Sequence, residues 1–130
     1  MAGELILIVE DNENNRILVR DVLQSRGYRT LETDNAEEAL RLARSAKPAL
    51  VLMDIQLPGM NGIEALKHLR ADPATREITV MAVTASAMTH DRQTIMAAGF
   101  DAYQTKPIVV REFVEAVRAV LAARVASPPP

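Results

Sequence analysis

Leu50-Val51-Leu52-Met53-Asp54 is a run of four apolar residues closed by a carboxylate. An unbroken apolar run this short fits a strand covered on both faces, because a half-exposed strand alternates polar and apolar side chains. Two other runs read the same way, Leu5–Val9 (LILIV) and Thr79–Thr84, which overlaps the apolar stretch ITVMAV of residues 78–83. Tyr28–Thr33 and Ala102–Thr105 complete a set of five. Between consecutive runs lie longer segments with helical spacing, where Ile17, Leu18 and Val22 share one stripe and Phe113, Val114, Val117, Val120 and Leu121 share another.

Helix-ending residues fall between these segments. Gly27 follows the first helical segment, where a glycine after the last turn is favoured. Asn35 with Glu38 resembles a capping box. Pro48 separates the second helix from the third strand, Asp72-Pro73 closes the third helix, and Gly99 ends the fourth. Val109 stands where a polar cap for the fifth helix is expected. Gly62 is expected to serve its loop through a positive φ. Five strand–helix units of this length give an α/β fold, a parallel sheet with helices on both faces joined by right-handed crossovers. Such doubly wound sheets bind ligands at the carboxyl ends of their strands.

Composition narrows the function classes. The 130 residues are 48% hydrophobic and 25% charged, enough for one ordinary core without a structural metal. The absence of cysteine excludes thiol catalysis, disulfides and cysteine zinc sites. A formal net charge of −2, with the basic residues scattered, offers no stripe for nucleic acid. No apolar run approaches the roughly 20 residues that span a bilayer. The N-terminal residues lack the pattern of a secretion signal, so a cytoplasmic protein without membrane association or direct DNA binding is expected. Residues 4–123 form the expected domain, and 124–130, ending in Ser127-Pro128-Pro129-Pro130, a disordered tail.

Chemistry gathers at the strand ends. The first run is followed by Glu10-Asp11, the third ends in Asp54, the fourth in Thr84, and the fifth is followed by Lys106. In a parallel sheet these converge, placing three carboxylates against one ammonium. The excess negative charge calls for a divalent cation, and an all-oxygen donor set favours Mg²⁺ over zinc or copper. The Asp54 carboxylate can attack phosphorus to form an acyl phosphate. Lys106 and the Thr84 hydroxyl then hold phosphoryl oxygens, and the small Ala85 leaves a path for a bulky donor. Alone, Asp54 reads as a turn residue, Glu10-Asp11 as acids before a helix starting near Asn12, and Tyr103 as a half-buried aromatic. Together they read as a site.

Glu10-Asp11 after an apolar strand, Asp54 in Asp-Ile-Gln-Leu-Pro-Gly-Met-Asn-Gly, Thr84-Ala85, and Tyr103-Gln-Thr-Lys106-Pro107 resemble the receiver domains of bacterial two-component response regulators. The text around Asp101-Ala-Tyr-Gln-Thr-Lys-Pro-Ile is similar to that of stand-alone regulators of the cell-division type. The resemblance implies a flavodoxin-like (βα)5 fold with strand order 2-1-3-4-5. It implies Asp54 as phospho-acceptor, with Glu10, Asp11, Asp54 and the Gln56 backbone carbonyl holding Mg²⁺. It further implies Thr84 and Tyr103 as a switch pair, a cis Lys106-Pro107 peptide, and Gln56 and Ser86 as residues that tune phosphoryl lifetime. The implied partners are a histidine kinase or a His phosphotransfer protein and an unidentified downstream protein. The resemblance implies partner contact on the face made by the fourth helix, fifth strand and fifth helix, or on the first helix near the site.

Rival readings meet specific residues. Phosphatases and mutases that use an aspartyl phosphate carry a second Asp two residues after the nucleophile; here that position is Gln56, so self-phosphorylation and slow autodephosphorylation are the only expected chemistry. A flavodoxin-like cofactor binder needs a phosphate loop where Glu10-Asp11 would repel phosphate. Relay to a His phosphotransfer protein and phosphorylation-independent binding are alternative outputs. His68 and His90 read as solvated helix residues, Met53, Met81 and Met96 as core fillers, and Met88 as a residue facing a partner.

Overall fold

The apolar run 50–54 is the middle strand of a five-stranded sheet in this computed structural model, which describes residues 3–85 and 89–126, with all their side chains except those of 89–91 and 124–126. The elements are β1 (Leu5–Val9), α1 (Glu13–Ser25), β2 (Arg29–Thr33), α2 (Ala36–Ala46), β3 (Leu50–Asp54), α3 (Gly62–Ala71), β4 (Thr79–Thr84), α4 (Thr89–Ala97), β5 (Ala102–Thr105) and α5 (Val110–Ala126). Strand order is β2-β1-β3-β4-β5 and every neighbouring pair is parallel, the flavodoxin-like order. β3 and β4 are buried at every position, as their composition requires. β2 lies at an edge and starts at Arg29, one residue later than its sequence suggests.

Strand alternation sorts the core into two layers. Leu7, Val9, Val51, Met53, Val80 and Ala82 face α2, α3 and α4, whose contributions include Ala39, Ala43, Leu66, Leu69 and Ile95. Ile6, Ile8, Leu50, Leu52, Met81 and Val83 face α1 and α5, where Val19, Leu23, Phe113, Val117 and Leu121 cover them. Each fully buried Leu or Ile is worth roughly 2 kcal/mol of transfer free energy, so both layers are needed to offset the chain entropy. Leu18 departs from its expected stripe: it is 38% exposed, and Val19 and Leu23 carry the buried face of α1 instead. Met96 is likewise no core filler, being 40% exposed on α4, whereas Met53 and Met81 are buried.

The helix ends follow local chemistry. Asn12 caps α1 by accepting from the Asn15 N–H, and Gly27 follows the last turn with φ 91°. Asn35 caps α2 through the Glu38 N–H at 2.8 Å, but the box is half-made, because the Glu38 carboxylate accepts the Thr33 hydroxyl at 2.5 Å. The complete box is at α3, between Asn61 and Glu64. Gly62 is not a positive-φ residue, which corrects the sequence expectation; Gly59 in the same loop has φ 73°. Gly62 opens α3 against the end of β3, and a Cβ there would lie 2.4 Å from the Asp54 carbonyl oxygen and 2.9 Å from the Ile55 Cα. Its requirement is close approach.

At the amino ends of β4 and β5, Arg70 of α3 donates to the carbonyls of Arg76 (2.9 Å), Ile78 (2.6 Å) and Gly99 (3.3 Å) and pairs with Asp101 at 3.0 Å. Asp101 also accepts the Val80 N–H at 2.8 Å. The Lys106-Pro107 peptide is cis. Ser86, Met88 and Ser127–Pro130 lie outside the described residues, as does the side chain of His90.

Candidate phosphoryl-acceptor site at the strand ends

Register and parity build the site. Val9 pairs with Met53, Asp54 with Val83, and Thr84 with Thr105. Glu10, Asp54 and Lys106 therefore emerge at the same edge. The ladder continues past the strands through Glu10 N–H to Thr33 O (3.0 Å), Ile55 N–H to Val83 O (3.1 Å) and Lys106 N–H to Thr84 O (2.8 Å). Glu10, Asp54 and Lys106 also share the parity of Ile8, Leu52 and Ala102, which face the α1–α5 layer. Thr84 has the parity of Val80 and Ala82 on the other face, where Tyr103 also packs.

The Lys106 ammonium lies 2.8 Å from Glu10 Oε1 and 3.2 Å from Asp54 Oδ2. The second oxygen of each acid has its own donor: the Asn12 N–H reaches Glu10 Oε2 at 3.1 Å, and the Gln56 N–H reaches Asp54 Oδ1 at 3.0 Å. Glu10 is 4% exposed, Asp54 3% and Thr84 2%, whereas Asp11 is exposed. Burial pushes the Glu10 carboxyl above its ordinary range; the Lys106 hydrogen bond pulls the other way, and the nearby Asp54 adds to the rise. Burial alone would lower the Lys106 pKa, but the hydrogen bonds and attraction of Glu10 and Asp54 together raise it.

Glu10, Asp11 and Asp54 bring carboxylate oxygens within 4.8 Å of one another. Like charges at that separation repel by roughly 3 kcal/mol per pair at an effective dielectric near 20. One ammonium among three carboxylates leaves the cluster about two charges negative. A divalent cation cancels that sum, and hard oxygen donors with one exposed, adjustable carboxylate suit Mg²⁺. The donor set fits the ion. By contrast, a groove of about 620 Å³ between α2 and α3, lined by residues such as Leu40, Arg44, His68 and Pro73, contains none of these groups. The chemistry lies on the open strand edge.

The sequence profile described as "Response regulator receiver domain" matches residues 6–118. The chain is a response-regulator receiver domain. This receiver is 48% identical over 116 residues to the polar-differentiation response regulator DivK of Brucella anthropi, covering 89% of this chain and 94% of the relative. The Brucella ovis counterpart is 47% identical over the same span. Among solved structures, the receiver domain of the sensor histidine kinase PA1611 from Pseudomonas aeruginosa PAO1 superposes with a TM-score of 0.85 at 32% identity, covering 93% of this chain and 99% of that one. That crystal structure has a magnesium ion coordinated in its active-site cleft. The chemotaxis regulator CheY4 of Vibrio cholerae shares the fold, with a TM-score of 0.86 at 24% identity, 92% of this chain and 99% of that one. The receiver thus belongs to two-component, phosphorylation-based signalling, whose partners are in general histidine kinases or phosphotransfer proteins. No helix among the described residues is long and apolar enough to cross a membrane.

The structure brings Glu10, Asp11, Asp54 and Lys106 together and buries Thr84 at the same edge of the sheet. Tyr103 is half-buried on the opposite face, with the Arg92 guanidinium 5.1 Å from its ring centroid. Ser86 falls outside the described residues. Sequence reasoning did not find Arg16, whose guanidinium donates to the Glu10 carbonyl. No local pattern marks it, because its other partner, Glu32, arrives through β1–β2 pairing.

Proposed function

We propose that Asp54 accepts a phosphoryl group from a histidine kinase or a His phosphotransfer protein, and that the phosphorylated chain signals by docking to another protein. The observation that carries this reading is the setting of the Asp54 carboxylate, buried at a strand end between the Lys106 ammonium and the Gln56 N–H. An Asp54 oxygen forms the new bond to phosphorus as the bond from phosphorus to the donor imidazole nitrogen breaks. The electron pair leaves with that nitrogen, and solvent supplies its proton. Lys106 then neutralises a phosphoryl oxygen, and the Thr84 hydroxyl donates to another.

Glu10, Asp11, Asp54 and the Gln56 carbonyl would hold Mg²⁺, which supplies positive charge to the phosphoryl oxygens when bound. Thr84 and Tyr103 form the switch: added charge and acceptor oxygens at Asp54 draw the hydroxyl toward them and let the ring rotate. Gln56 takes the position of a phosphatase's acid and has no proton to give, so the chain turns over no external substrate. Gln56 and Ser86 tune phosphoryl lifetime. The receiver acts in the cytoplasm, its domain spanning residues 4–123 and its last helix running on to Ala126.

Incubation with acetyl phosphate and Mg²⁺, read by intact mass, tests the acceptor. Wild type gains the mass of one phosphoryl group and Asp54→Ala gains none. Labelling of the mutant equal to wild type, or no labelling of wild type, refutes the assignment.

A further inference from the structure

Arg16 lies where α1 passes the end of β2. One terminal nitrogen of its guanidinium donates to the Glu10 carbonyl at 3.0 Å, while its Nε sits 3.3 Å from Glu32 Oε1. Arg20, one turn further along α1, reaches the other Glu32 oxygen at 3.6 Å. Glu32 is itself held in the sheet, paired with Ile8 of β1. The Glu10 N–H donates to the Thr33 carbonyl at 3.0 Å. The main chain of Glu10 is therefore anchored to β2 on both sides, through its N–H directly and through its carbonyl by way of Arg16 and Glu32.

That carbonyl belongs to the peptide joining Glu10 to Asp11. Fixing its direction fixes the Asp11 Cα, and the Asn12 N–H bond to Glu10 Oε2 at 3.1 Å restrains the next peptide, so the two together set where the Asp11 side chain leaves the backbone. The consequence matters because Asp11 is the exposed member of the acidic trio, while Glu10 and Asp54 are buried and already share Lys106. Charge-assisted hydrogen bonds such as that from Arg16 are the stronger and more directional kind. Pairing with Glu32 also keeps the arginine from turning toward the carboxylates and competing with a cation.

We propose that Arg16 is a positioning residue for cation binding, setting the Glu10–Asp11 peptide so that Asp11 meets the ion, with Glu32 holding it in place. This rests on reading Glu10, Asp11 and Asp54 as a Mg²⁺ site. Electrostatics alone predicts the opposite sign: removing a positive side chain beside three carboxylates tightens Mg²⁺ binding. The sign separates the two.

The test is calorimetric titration of the full chain with MgCl₂ and no phosphodonor. Partners outside the first coordination shell typically shift metal affinity by about 10–100-fold; for a main-chain carbonyl contact, Arg16→Met should weaken Mg²⁺ about tenfold. Arg16→Lys keeps a donor for one of the two partners and should recover part of the loss. Circular dichroism melts check that each variant is folded. Should Arg16→Met not fold, Arg16→Gln carries the test: it removes the same positive charge with a shorter polar side chain and should also weaken Mg²⁺. Wild type that takes up no Mg²⁺ overturns the metal reading and this proposal with it. Wild-type uptake with equal or tighter binding by Arg16→Met, or by Arg16→Gln where it stands in, or no recovery in Arg16→Lys, overturns this proposal alone.

Discussion

Gly62→Ala tests how the β3–α3 connection holds Asp54, the proposed acceptor. The added Cβ would stand 2.4 Å from the Asp54 carbonyl oxygen and 2.9 Å from the Ile55 Cα, both backbone atoms that no rotamer change can move. Reaching an ordinary contact of 3.4 Å requires about 1 Å of displacement of α3 or of the strand end. Overpacking of this kind costs about 1–3 kcal/mol, and the better helix propensity of alanine returns up to about 1, so a net loss near 1–2 kcal/mol is expected. A misplacement of about 1 Å at a reacting group can cost on the order of 10²-fold in rate. Urea denaturation should show the stability loss, and the rate of labelling by acetyl phosphate with Mg²⁺ should fall at least tenfold, toward that limit. Asn is the diagnostic second substitution. If a left-handed φ were the requirement, Asn would be tolerated better than Ala. Close approach makes Asn no better. Gly62→Ala with wild-type stability and labelling, or Gly62→Asn close to wild type, would refute this account.

Two further outcomes follow from the same geometry. Glu10 has a raised folded-state pKa, so its contribution to stability is fully present below about 4.5, its ordinary value, and is lost as pH rises through the folded value. In EDTA, urea melts of wild type should therefore gain stability relative to Glu10→Gln as pH falls from neutrality toward that value; a pH-independent difference contradicts it. Arg92→Ala removes the cation over Tyr103 and should cost about 0.5–1 kcal/mol. With no tryptophan and only two tyrosines in the chain, emission from a Tyr28→Phe background isolates Tyr103, and acrylamide quenching should rise when Arg92 is removed.

The parts of the fold that could be read from sequence are those where one physical demand dominates. Leu50–Asp54 and Thr79–Thr84 can only be strands covered on both faces, and the acids and lysine at strand ends can only converge if the strands are parallel. Period-2 parity was also available there, and it places Glu10, Asp54 and Lys106 on one face with Thr84 and Tyr103 on the other. Other features depend on distant partners. Leu18 and Val19 are both apolar, and which one α1 buries depends on its rotation against α5 and the sheet. Glu38 fits a capping box by spacing, yet Thr33 takes its carboxylate because the end of β2 brings the hydroxyl within reach. Gly62 reads by sequence as a turn glycine, whereas its requirement comes from the Asp54 backbone packed against it. Arg16 gave no local signal, since its meaning lies in strand pairing.

The Arg70–Asp101 tie gives the sheet a mechanical asymmetry. It pins the amino ends of β4 and β5 to α3, while the acceptor chemistry sits at their carboxyl ends. Lys106 lies five steps along the chain from Asp101, about 16 Å at strand rise. That length is a lever arm with one end riveted. On the proposed function, a pull at Thr84 or Lys106 would shift the carboxyl ends of β4 and β5 while the Arg70–Asp101 tie holds their amino ends in place.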